Sequence, residues 1–134
     1  MTRSNEALTI VMVQDDQVIM QGEDIADPAS GVVGIIRGLS PRSVTEYAPR
    51  LSQSKASSDA CVGAGLAGMK PVGEPLMMEF LPVAMDQMVN HSAKARYMTG
   101  AQMSAPMTMM TLVGPSNGTQ HSQSTEAWLM PPRA

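Results

Sequence analysis

His121 follows the glycine-containing loop Gly114 to Thr119 and opens the run Gln120-His121-Ser122-Gln123. An imidazole projecting from a strand end can shuttle a proton or stabilise an oxyanion, and strand ends are where open α/β sheets place their ligands. A polar surface or capping histidine fits the same residues. Gly63-Ala64-Gly65-Leu66-Ala67-Gly68 matches GxGxxG, the turn that brings a dinucleotide pyrophosphate to a helix N-terminus. That chemistry needs a hydrophobic strand before the first glycine and an acid about 20 residues later. Here Ser57-Ser58-Asp59-Ala60 precedes the glycines, and Asp86 falls inside a long helical pattern. Close helix packing by small residues is the simpler reading. Cys61, the only cysteine, can form no internal disulfide, reads as a small buried thiol, and has no metal-ligand spacing to His91 or His121. His91 reads as structural. Ser122 and Ser124 lack the flanking glycines of a nucleophile elbow.

Composition bounds the partners. A chain of 134 residues fits one ordinary domain, and 43% hydrophobic with 16% charged residues is a folding composition rather than a disordered one. A net charge of −3 with no basic block argues against nucleic acid or an anionic membrane surface. The apolar stretch Leu8 to Val13 is short and preceded by Glu6, so no signal peptide is expected, and no apolar run reaches the roughly 18–20 residues of a membrane helix. A cytoplasmic location is the default expectation, or the mitochondrial matrix in a eukaryote. Fourteen methionines and four aromatics are unusual, and methionine fills a core without fixing its geometry.

The elements that must position His121 alternate between helix and strand. Ala7, Leu8, Val11 and Met12 recur at helical spacing, and Val18-Ile19-Met20, bounded by Gly22, reads as a buried strand. Asp27 to Gly31 reads as loop, Val32 to Leu39 as a second helix stopped by Pro41, and serine-rich Ser40 to Asp59 as loop. Ala60 to Met69 predicts a helix and Pro71-Val72 opens a strand. Glu79 to Met98 is the strongest helix, with Leu81, Met85, Met88, Val89 and Ser92 on one stripe and Gly100 as its cap. Met107 to Val113 predicts a strand, and Ser122 to Met130 a terminal helix. The order implies an α/β fold with a small, mostly parallel sheet flanked by helices. So short a chain would leave apolar sheet surface in need of cover.

Several stretches, in order, resemble the β subunit of the decarboxylating component of pyruvate, acetoin and branched-chain 2-oxoacid dehydrogenases. They are Gly22-Glu23-Asp24-Ile25, Gly31-Val32 through Arg37-Gly38-Leu39, Leu66 through Val72 with Glu74, Met78-Glu79-Phe80, Asp86 through His91 with Ala93-Lys94, Arg96 through Gly100, and Gln120 through Ser124 with Glu126-Ala127-Trp128. The resemblance implies a thiamine-diphosphate enzyme in which residues 1–134 form an incomplete, transketolase-like pyrimidine-binding domain. The family's C-terminal domain would lie beyond Ala134. The cofactor would be shared with an α subunit that holds magnesium, and further partners would be a second β subunit and a lipoyl acyltransferase core. Phe80 matches the aromatic against the aminopyrimidine, and His121 the active-site histidine of acyl transfer to lipoamide. Glu23 matches a motif lining the cofactor side of the first strand. Met107 and Thr108 match part of a structural potassium site. The family's Thr-Pro-Ile-Ser-Glu segment, whose glutamate protonates the 1′ nitrogen of the aminopyrimidine, has no counterpart. Arg50 to Asp59 contains no glutamate; Ser54 or Ser58 takes its place, with Asp59 the nearest acid. A non-catalytic relic retaining at most subunit association is therefore the competing reading.

Overall fold

The computed structural model describes residues 3–40, 44–46, 53–114 and 118–130. Four strands, β1 (Val18–Gly22), β2 (Val44–Glu46), β3 (Lys70–Glu74) and β4 (Thr108–Met109), form one sheet in the order β2-β1-β3-β4, and every pairing is parallel. The expected α/β class and parallel sheet are borne out. Strand alternation divides the core between two faces. Met20 is paired with Val72, and both join a cluster with Ile25, Ile36 and Leu39 under helix α1 (Arg3–Gln14), which contributes Met12 and Leu8. On the other face Gly73 lies against Cys61 of helix α2 (Gln53–Leu66), and a methyl group on Gly73 would sit 2.9 Å from the Cys61 sulfur. The absence of a side chain there lets the helix close on the sheet.

Cys61 is fully buried, and burial pushes its thiol up to about 12, so it packs as an apolar group. Gly63 and Gly65 fall in the last turns of α2, where the helix dipole is negative, with Gly68 just beyond. A pyrophosphate needs the opposite helix end. The dinucleotide alternative fails on that ground, and the small residues serve packing: a Cβ on Gly65 would lie 2.9 Å from the Pro106 carbonyl oxygen and 3.0 Å from Ala105 Cα. Because those neighbours are backbone, Gly65→Ala is expected to lower stability by about 1–3 kcal/mol, read as a shifted urea midpoint at unchanged slope.

Three expectations are corrected. Val32 to Leu39 is not a helix but a 3-10 turn (Val32–Gly34) followed by further turns. Gly31, Val33, Gly34 and Gly38 all have positive φ, which breaks the helical ladder while Ile36 and Leu39 still reach the core. The expected loop Ser40 to Asp59 contains β2, held by its pairing with β1, and the first half of α2, where Ser57 and Ser58 are buried at 1% and 0% exposure. Small hydroxyl side chains give that helix its close approach. The expected terminal helix is two 3-10 turns, Gln120–Ser122 and Glu126–Leu129.

The long helix is present as a turn at Met78–Phe80, α3 (Leu81–Asp86), a π-helical stretch at Gln87–Ser92 and α4 (Ala93–Met98). Strand pairing over the expected Met107 to Val113 is limited to β4 and a single bridge, Met77 to Leu112. Between them the Leu112 amide donates to the Leu76 carbonyl at 3.1 Å, so the two chains stay side by side past the end of the strand. No helix among the described residues is long and apolar enough to cross a membrane.

Candidate functional site

Parallel strands put all their C-terminal ends on one edge, and the chemistry gathers there. β1 ends at Gly22, directly beside Glu74 at the end of β3, so Glu23 and Glu74 share that edge. After Glu74 the chain passes to the turn Met78–Phe80, anchored by the Met78 amide donating to the Leu112 carbonyl at 3.0 Å. The segment after β4 returns to the same place through the turn Gln120–Ser122. Phe80 and His121 consequently meet, with ring centroids 6.2 Å apart and planes at 58°. Such a tilted arrangement is favourable for aromatic rings at this separation.

A third group joins them. Glu79 Oε1 is hydrogen-bonded to His121 Nδ1, and the carboxylate side chain is only 5% exposed while the imidazole is 28% exposed. A carboxylate so deeply covered requires a partner, and the imidazole is that partner. Sequence reasoning did not nominate Glu79. Its signal was weak: an acid immediately before Phe80 in a turn.

Glu74 is a second buried acid, 2% exposed. Its Oε1 accepts the Val32 amide at 3.1 Å, whereas Oε2 is buried without a hydrogen-bond partner among the described residues. Burial pushes this carboxyl up to about 7, and the Val32 hydrogen bond offsets only part of that. Glu23 is half-buried, and its carboxyl is pushed up by burial and then by the neighbouring charge of Asp24.

The other nominated residues lie apart. Asp59 is exposed near the middle of α2. Met107 and Thr108 flank the start of β4, where they line a cavity of about 240 Å³ with Lys70, Pro71 and Pro106. Lys70 opens β3 and Glu74 closes it, so that cavity sits roughly 13 Å along the sheet from the Glu74 edge. Among the described residues no group of three or more His, Cys, Asp or Glu side chains could hold a metal ion. The roomier hollows, about 610 Å³ beside Tyr97 and about 600 Å³ between α1 and β4, include neither Phe80 nor His121. Phe80, Glu79 and His121 stand together at the strand-end edge of the sheet.

The fold is a parallel α/β layer with an aromatic ring and an acid–imidazole pair at its strand ends, the edge where open α/β sheets place ligands. Its relatives make this particular. The chain is 35% identical to the acetoin:2,6-dichlorophenolindophenol oxidoreductase subunit beta of Cupriavidus necator over 89% of its own length and 38% of that protein. It is 33% identical to the protein of the same name from Bacillus subtilis, over 90% of the chain and 39% of the relative. With the mitochondrial pyruvate dehydrogenase E1 component subunit beta of Pisum sativum it shares 30% identity over 92% of the chain and 35% of the relative. These homologues are β subunits of acetoin and pyruvate dehydrogenases, as the resemblance in the sequence implied, and the chain spans little more than a third of their length. No protein-family model matches the chain.

Proposed function

We propose that this chain is the pyrimidine-binding part of a β subunit of a thiamine-diphosphate-dependent 2-oxoacid dehydrogenase of the acetoin or pyruvate type. The observation that carries the reading is the meeting of Phe80 and His121 at the C-terminal edge of a parallel sheet. Phe80 offers a half-buried aromatic face of the right size and polarity for an aminopyrimidine ring. Glu23 at the end of β1 lines the same edge. His121 is the group that holds or moves a proton during acyl transfer to lipoamide. When bound, thiamine diphosphate supplies the thiazolium carbon that attacks a 2-oxoacid. An open edge needs a second surface to exclude water, and an α subunit carrying the diphosphate and its magnesium would be that surface. A second β subunit and a lipoyl acyltransferase complete the assembly. Backbone carbonyls near Met107 and Thr108 would contribute to a potassium site.

The fit to the cofactor is partial. Between Gln53 and Asp59 the single carboxylate is Asp59, exposed on α2, and Ser58 is buried. That departure favours a second reading, in which the chain associates with an α subunit without catalysing decarboxylation. Calorimetry on the chain co-expressed with an α subunit separates the two. Thiamine diphosphate is expected to bind, and Phe80→Ala to weaken binding by about fivefold, the loss of roughly 1 kcal/mol of ring stacking. Absence of heat at millimolar cofactor would reject the cofactor site. Binding without 2-oxoacid-dependent dye reduction would favour association alone.

A further inference from the structure

We propose that Glu79 is a positioning residue for His121, fixing its imidazole as the Nδ1–H tautomer and reserving Nε2 as the nitrogen that exchanges a proton with a bound reactant beside Phe80. The inference rests on the reading of this edge as the binding site, and it adds a residue and an atom to it. A carboxylate offers lone pairs and no hydrogen, so the nitrogen facing Glu79 Oε1 must carry the proton and donate it. Which ring nitrogen of a histidine is protonated is set by the hydrogen bond the other groups impose on it.

The support behind Glu79 is stiff. Its turn is tied to β4's continuation by the Met78 amide to Leu112 carbonyl bond and closed by the Phe80 amide donating to the Met77 carbonyl, both at 3.0 Å. Its side chain is 5% exposed and has little room for another rotamer. His121, by contrast, sits on a short turn with non-helical geometry, φ −92° and ψ 18°. The ring therefore takes its orientation from Glu79 rather than from its own backbone. Among the described residues no partner of Nε2 is found, which leaves that nitrogen for a ligand.

Histidine-labelled chain, examined by long-range proton–nitrogen correlation spectroscopy at mildly alkaline pH, tests this without cofactor or α subunit. His121 is expected to show a protonated Nδ1 and a bare Nε2. Glu79→Gln keeps an acceptor oxygen and is expected to keep the tautomer. Glu79→Leu removes it and is expected to return His121 to the solvent mixture. A wild-type His121 carrying its proton on Nε2 overturns the proposal, as does an unchanged pattern in Glu79→Leu. Should the leucine variant fail to fold, the wild type and Glu79→Gln still decide. In the assembled enzyme Glu79→Leu is expected to lower kcat on the order of a hundredfold at unchanged KM, the size of a general acid–base contribution, with Glu79→Gln losing less. Failure to bind thiamine diphosphate would sink the cofactor reading and leave the tautomer result standing.

Discussion

Through Glu74, acidification from about pH 7 toward pH 4.5 is expected to stabilise the chain by on the order of 3 kcal/mol, and Glu74→Gln is expected to remove that part. Glu74 holds its proton up to about 7 in the folded chain, against an ordinary value of 4.5 once unfolded. Between those values the folded state binds more protons than the unfolded state, so stability falls as pH rises. The contribution is complete below 4.5 and gone above about 7. Its cause is a carboxyl group 2% exposed, with one oxygen satisfied by Val32 and the other facing no donor among the described residues. Ionising it there strands a charge away from water.

Asp15, Asp27 and Glu126 run the other way. Their carboxyls are held below the ordinary range by hydrogen bonds, first from Lys70, Ser30 and Ser124 respectively, so what they contribute is lost only as pH falls through their own lowered values. Glu23 acts with the same sign as Glu74 but is only half-buried. Urea midpoints of the wild type and Glu74→Gln across this range isolate the Glu74 part. Glutamine preserves the acceptor for Val32 and carries no charge, so the two curves should converge at the acid end and separate at the alkaline end, with the variant the more stable. Parallel curves would show that water reaches Glu74.

Local pattern made much of the scaffold legible. Val18 to Gly22 and Pro71 onward are apolar runs bounded by turn residues, and both are central strands paired in register. The Glu79 to Met98 stripe is helical, with Leu81 and Ala84 buried in α3 and a π-helical stretch at Gln87–Ser92 that buries no residue. What failed was set by distant partners. Val44–Glu46 becomes a strand only because β1 lies beside it, and Ser57 and Ser58 are helical because α2 must lie close to the sheet. Val32 to Leu39 has apolar spacing for a helix, but Gly31, Gly34 and Gly38 use it for turns, and Asn5 of α1 fastens it by donating to the Ile35 and Arg37 carbonyls at 2.9 and 3.1 Å. Of the site, Phe80 and His121 were named from the sequence, and the fold brings them together. Glu79 stood in a quoted stretch but was given no role, because its partner lies 42 residues away and no local pattern records that a carboxylate will be covered. Glu74 was visible only as one letter in a longer stretch, and its burial follows from closure of the 24–39 segment over the strand end.

That closure depends on Gly31, and Gly31→Ala is expected to cost about 2–6 kcal/mol. Two separate causes add. Gly31 has φ +69° and ψ −172°, a region essentially restricted to glycine, where an L side chain costs about 1–3 kcal/mol. A Cβ there would also stand 2.2 Å from Glu74 Oε2 and 3.0 Å from the carboxyl carbon, and overpacking of this kind costs about 1–3 kcal/mol. The backbone cannot rotate away cheaply, since the Gly31 amide donates to the Asp24 carbonyl at 2.8 Å and the next amide, Val32, donates to Glu74 itself. A double-mutant cycle with Glu74→Ala divides the two causes. Removing the carboxyl leaves the torsional cost in place and lifts the collision, so the penalty of Gly31→Ala should shrink by about 1–3 kcal/mol in that background. An equal penalty in both backgrounds would mean that the segment gives way around the new methyl group, and that Glu74 is held by the strand end alone.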